Sequence, residues 1–195
     1  MHRSLHSSAV VAAALGLVAC AAPGDAFAPR AAISSDRAAA PPAHAVRVTG
    51  GGTSTFGADL DGDGDVDGSH FGFAAVIASD GSAHGDFTCL MAGNANFLGL
   101  RLMAVQGPVT SGTPDGHSFS GTATVKVLNA FGPGVQSIFH GIPFIVTVTA
   151  GGPGVGTLQL TVLGVFDGVP GDVAPGNNNY DLAKETLTTG QITIQ

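Results

Sequence analysis

The sequence contains no tryptophan, one tyrosine, two cysteines and only seven lysines and arginines among 195 residues. Each scarcity removes a class of function. Without indole rings, and with Tyr180 as the sole phenol, the flat aromatic platform of a typical sugar-binding face is largely missing. Seven scattered cationic side chains make no stripe able to neutralise a run of phosphates, which excludes nucleic acid as a partner. No apolar run reaches the length of about twenty residues that a membrane-spanning helix requires. There is no Gly-x-Ser-x-Gly elbow, glycine-rich phosphate loop or zinc-protease helix, so no catalytic residue is assigned. Long solvated helices are disfavoured too, because Lys and Glu are few while Gly 30 and Pro 11 interrupt the chain.

What is present suits one β-rich domain with an appendage. About 150 ordered residues bury roughly 70% of their unfolded-chain surface, enough for one real core. The chain opens with Arg3, His2 and His6, then an apolar run over 9–19, the length of a secretory h-region. That run ends Leu17-Val18-Ala19-Cys20, which resembles the lipobox of bacterial lipoproteins. The resemblance implies cleavage before Cys20, diacylglycerol on its thiol, and an acylated amine that holds the protein to a membrane of the bacterial cell envelope. The competing cleavage after Ala26-Phe27-Ala28 is disfavoured by Pro29. Each buried acyl CH₂ contributes about 0.8 kcal/mol, so several chains anchor stably. Residues 1–19 are therefore expected to be a lipoprotein signal peptide, and 20–45, rich in Ala, Pro and Ser, a disordered tether.

From residue 46 the apolar residues recur with period two. Strands are expected over 46–49, 70–78, 85–91, 97–105, 118–128, 143–149, 157–166 and 191–194. Alternation is clearest at Phe71/Phe73/Ala75/Ile77, Phe144/Val146/Val148, Leu158/Leu160/Val162 and Ile192/Ile194. Each set would line one buried face of a sheet. Turn chemistry fills the gaps at Ser79-Asp80-Gly81-Ser82, Pro114-Asp115-Gly116, Gly132-Pro133-Gly134, Gly151-Gly152-Pro153-Gly154 and Pro170-Gly171-Asp172. The expectation is an all-β fold, an antiparallel β-sandwich or open barrel of about eight strands spanning 46–195, with only 182–187 suited to a helical turn. With Cys20 lipidated, Cys89 has no disulfide partner. Its place in Phe87-Thr88-Cys89-Leu90-Met91 makes it a buried small hydrophobe.

Several short motifs, Val48-Thr49-Gly50-Gly51-Gly52, Phe71-Gly72-Phe73, Phe119-Ser120-Gly121-Thr122-Ala123, Phe166-Asp167-Gly168 and Gly190-Gln191-Ile192-Thr193-Ile194, together resemble the framework of post-COAP-1 type domains. That resemblance covers most of 46–195 and implies a β-rich module of secreted bacterial proteins, with no catalytic residues to carry over. The chain departs from it in having Thr189-Gly190 where a longer glycine run is usual, and in an aspartate loop between the first two motifs.

That loop, Asp59-Leu60-Asp61-Gly62-Asp63-Gly64-Asp65-Val66-Asp67-Gly68, is the most chemically specific stretch, and it carries much of the formal charge of -7. Calcium takes six to eight hard oxygen ligands, which a tight loop can offer from alternate positions. With Asp59 as position 1, Asp61 falls at 3, Asp63 at 5, Gly64 at the sharp turn, Asp65 at 7 and Asp67 at 9. The pattern resembles EF-hand and dockerin loops. Position 12 of this calcium loop over 59–70, however, is His70, a poor calcium ligand, so either another segment or water supplies the last oxygens and affinity is reduced. Without a cation, neighbouring carboxylates about 6 Å apart repel by roughly 0.7 kcal/mol per pair even in bulk water. No second loop of this kind and no flanking helices follow, so the ion is expected to staple the fold, and cohesin binding is disfavoured.

Weaker candidates remain. His70, His84, His117 and His140 lack the close pairing of transition-metal ligands. A polar loop containing Asp167, Asp172, Asn177 and Asp181 is a candidate second ion or ligand site, with a plain surface loop the simpler reading. The expectation for function is a non-catalytic, Ca²⁺-stabilised envelope lipoprotein with an interaction or structural role. The alternative is a calcium-dependent hydrolase acting on an extracellular polymer through Asp167 and Asp172.

Overall fold

A computed structural model describes residues 45–59, 66–97, 100–128, 136–169 and 171–195, with backbone alone for 92–97 and 100–102. Residues 1–19, expected as a signal peptide, Cys20, all but the last residue of the expected tether, Asp61, Asp63, Asp65 and the turn expected at Gly132-Pro133-Gly134 lie outside the described residues.

The described chain is all-β and antiparallel, with strands β1 (Val46–Thr55), β2 (Gly68–Ile77), β3 (Ser82–Phe97), β4 (Leu100–Gly112), β5 (Ser118–Leu128), β6 (Gln136–Thr149), β7 (Thr157–Leu163), β8 (Asn179–Asp181) and β9 (Glu185–Ile194). They form one sheet in the order β6-β5-β4-β3-β2-β1-β9-β7-β8, and β6 also pairs with β7. The sheet therefore curves into a ring, β1 through β7 and then β9 back to β1. β8 lies outside this circuit, on the part of β7 that β9 leaves free: it pairs with Thr161, Val162 and Leu163, whereas β9 pairs with Thr157 and Leu158. The short β7–β9 seam is extended by the segment before β7, where Gly154 N–H donates to Leu187 O and Leu187 N–H to Gly156 O. A closed ring leaves few exposed edges to template aggregation.

Period-two patterning decides which side faces in. Phe71, Phe73, Ala75 and Ile77 are buried, as are Phe87, Cys89 and Met91, Phe144, Val146 and Val148, and Leu158, Leu160 and Val162. Aromatic rings occupy the middle: Phe73 lies 5.0 Å from Phe119, Phe119 5.9 Å from Phe87, and Phe87 5.1 Å from Phe144. Glycine makes room where rings cross the wall, since a Cβ on Gly50 would fall 2.4 Å from the Phe73 ring. Each fully buried aromatic or aliphatic side chain contributes roughly 1.5–3 kcal/mol.

Antiparallel order sorts the connections between two ends. At one end the β4–β5 turn folds over the core: Gly116 adopts φ 77°, and a Cβ there would meet Val46, Val48 and Ile194 at 2.8–2.9 Å. At the other end lie the β1–β2 connection with the aspartates, the β3–β4 and β5–β6 connections, and the long β7–β8 loop.

Several boundary expectations are corrected. Residues 182–187 make no helical turn: Glu185 to Leu187 belong to β9, because Glu185 and Leu187 alternate inward beside Leu158 and Ser54. Of the strand expected over 97–105, Phe97 belongs to the end of β3, whereas 100–105 belong to β4. The strand expected over 157–166 stops at Leu163, where Gly164 takes φ 74° and Phe166 φ 61°. The first strand, by contrast, continues through Gly50-Gly51-Gly52 to Thr55, since pairing on both sides fixes these glycines.

Candidate functional site

The aspartate run is the connection of the β1–β2 hairpin, and its neck is closed by backbone pairing. Phe56 N–H donates to Asp67 O at 3.0 Å, Asp67 N–H to Ala58 O at 3.1 Å, and the Thr55 hydroxyl to Asp67 O at 3.1 Å. The two described aspartates of the run lie in different surroundings. Asp59 is exposed, whereas Asp67 is 2% exposed and is the first of the inward set Asp67, Ser69, Phe71. His70, position 12 of the loop register, already belongs to β2, paired with Thr53 and Leu90 on the outer face. An oxygen ligand in place of that residue would come from another segment or from water.

Directly inside the neck lies a polar group with no distinguishing sequence motif. Glu185, at the start of β9, is fully buried. Its Oε2 accepts hydrogen bonds from Ser54 Oγ on β1, at 2.5 Å, and from Ser69 Oγ on β2. Its Oε1 is buried with no hydrogen-bond partner among the described residues. Burial raises the Glu185 pKa above the ordinary carboxylate range, and the bonds from Ser54 and Ser69 only partly offset this. Cys89 on β3 faces the same group. Burial and the adjacent Glu185 push its thiol up, far from the thiolate form, so it is an inert core residue as its flanking pattern predicted. Tyr180 of β8 is buried as well, and its phenol is raised by burial and by the charges of Asp172 and Asp67. The Tyr180 phenol thus lies within electrostatic reach of Asp67 at the aspartate neck and of Asp172 in the β7–β8 loop.

That loop gathers all four of the residues singled out in it, yet it uses their oxygens to hold its own backbone. Asp167 accepts from the amides of Gly176 and Asn178, at 2.6 and 3.0 Å. Asp172 accepts from Gly168, Ala174 and Asp181. Asp181 accepts from the Thr161 hydroxyl and from Asn177 Nδ2. Asn177 Oδ1 accepts from Asn179 N–H, and Asn178 stands at φ 68°, a left-handed position that asparagine tolerates. Burial alone would raise the Asp172 pKa, but the three backbone amides outweigh it and hold the carboxyl below the ordinary range.

The histidines do not converge. His70 and His84 are exposed on β2 and β3, the His117 ring meets Val148 O at 3.2 Å, and His140 meets Thr124 Oγ1 at 3.2 Å. Among the described residues no three His, Cys, Asp or Glu side chains are arranged to hold a metal. An open groove of about 210 Å³ on the outer wall is lined by Ser111, Gly112, Thr113, Ser118, Phe119, Ser120 and Ile145, none of which could serve as a general base. No family model, no characterised protein and no solved structure matches the chain.

Proposed function

We propose that this chain is a non-catalytic lipoprotein of the bacterial cell envelope, whose β-barrel domain is stapled by calcium and serves an interaction or structural role. The observation that carries the reading is the setting of the aspartates. Five carboxylates are gathered on one hairpin connection whose ends are tied by the Phe56 and Asp67 backbone bonds. Tying the ends confines like charges, and a hard divalent cation is the partner that relieves them. The packed aromatic interior supports a role carried by loops and outer surface rather than by an internal ligand chamber.

The hydrolase alternative is disfavoured by the β7–β8 loop, where the Asp167 and Asp172 carboxylates are engaged by backbone amides. The reading is tested by calorimetric titration of the protein and of an Asp61→Asn/Asp63→Asn variant with calcium. Binding heat in the first and a weakened response in the second are expected. Absence of heat from the unaltered protein removes calcium from the account, and polymer hydrolysis abolished by Asp172→Ala would overturn the non-catalytic part.

A further inference from the structure

Glu185 is the only glutamate in the sequence, and an irregularity in β9 is what turns it inward. Towards the end of that strand the residues packed on the core are the even-numbered Ile192 and Ile194. Thr53 then pairs with Thr189 but Ser54 with Leu187, so Thr188 is an extra residue, and the buried positions become Leu187 and Glu185. Without this bulge the alternation would send Glu185 to the outer face; bulges re-aim side chains in this way and often adjoin functional positions. The register also fixes its level in the ring. Thr55 pairs with both Gly68 and Thr186, and one step further along β1 Phe56 N–H is bonded to Asp67 O, which puts Asp67 and Glu185 on either side of Phe56 at the neck of the aspartate hairpin.

We propose that Glu185 is an inner ligand of the calcium held by the aspartate hairpin, its Oε1 supplying from β9 the acidic oxygen that His70 does not give at position 12. The proposal rests on the calcium reading above and names the segment that completes it. Ser54 and Ser69, the inward positions just below the neck on β1 and β2, both donate to Oε2. Two hydroxyls donating to one oxygen suit an ionised carboxylate, which only accepts. Oε1 is left buried with no hydrogen-bond partner among the described residues, a costly arrangement for an anion unless a cation meets it. Cys89 on β3 and Leu158 on β7, the other groups described beside Glu185, bring no positive charge. Burial opposes its ionisation and only serine hydrogen bonds offset this, so a cation is the partner the setting lacks. Asp67, also inward and 2% exposed, stands at the same level, and two buried carboxylates facing one interior are the hard oxygen donors that calcium takes.

The full chain and Ca²⁺ itself test it. Because Glu185 is the only glutamate, protein made by cell-free synthesis with carboxyl-labelled (¹³C) glutamate reports this one carboxylate in the infrared, apart from every aspartate. Calcium should shift the labelled carboxylate stretch, saturating along the same curve as the heat of binding. A glutamate that only bridged the two serines would keep its band where it was. Glu185→Gln still accepts from both serines but brings no charge, and should bind calcium roughly tenfold or more weakly. Binding heat with an unmoved labelled band, or an unweakened affinity in folded Glu185→Gln, overturns the proposal and leaves the calcium reading standing. No heat from the unaltered protein removes the calcium reading, and the proposal with it. If Glu185→Gln does not fold, the labelled band of the unaltered protein decides alone.

Discussion

Truncating Phe119 to alanine should cost about 3–5 kcal/mol, the range for removing a buried aromatic ring whose site cannot collapse. Phe119 is 1% exposed on β5, and its ring lies between Phe73 of β2 and Phe87 of β3. Two aromatic contacts are lost together, each worth roughly 0.5–1.5 kcal/mol beyond the buried area. The wall cannot move in to fill the space, because the strands are held by pairing around the whole ring. In a folded unit of this size 1 kcal/mol shifts the melting midpoint by about 2–4 °C, so the variant should melt roughly 6–20 °C lower. Phe119→Leu, which retains most of the volume, should lose about half as much or less. Urea unfolding monitored by circular dichroism gives the free energies, and a Phe73→Ala/Phe119→Ala double-mutant cycle should return a coupling of about 0.5–1.5 kcal/mol. A loss below about 1 kcal/mol for Phe119→Ala would refute the packed interior and reopen the case for an internal ligand chamber.

Further outcomes follow from other parts of the domain. Gly68→Ala should destabilise by about 1–3 kcal/mol and loosen the aspartate neck, because its Cβ would sit 1.9 Å from Ser54 O and push β1 and β2 apart, as hydrogen exchange can measure. Asp172→Ala should accelerate exchange of the Gly168, Ala174 and Asp181 amides with little change in melting temperature, since that loop is exposed. The Asp172 pKa is held low, so its contribution is present above the unfolded carboxylate range and is lost as pH falls through the folded value; acidification should loosen the β7–β8 loop. Cys20→Ser should abolish labelling by a fatty-acid analogue and release the protein from membranes, and persistent labelling would refute the anchor.

Much of the barrel wall was legible because burial on one face writes itself into period-two alternation, as at Phe71 to Ile77 and Phe144 to Val148. β8 was not, because Asn179, Tyr180 and Asp181 carry no strand pattern and are placed by pairing with β7 and by the burial of Tyr180. The first half of β9 was misread for a related reason: Glu185 is a charged residue type at an inward position, so the sequence broke its own alternation there. Its partners, Ser54 and Ser69, lie 131 and 116 residues away, and only ring closure between β9 and β1 brings them together. The aspartate run was visible by spacing alone. What spacing could not convey is that Asp67 turns inward while Asp59 faces solvent, a division set by the register of β2.

The central claim is that a cation holds the aspartate hairpin, and the melting midpoint with and without calcium tests it most directly. For a dissociation constant of about 10⁻⁴ to 10⁻³ M, a calcium concentration of about 5 mM should stabilise the domain by roughly 1–2.3 kcal/mol. At about 2–4 °C per kcal/mol the midpoint should rise by roughly 2–9 °C over the chelated protein, and Asp61→Asn/Asp63→Asn should remove most of that rise. Identical midpoints in chelator and in calcium, for the unaltered protein, would contradict the account.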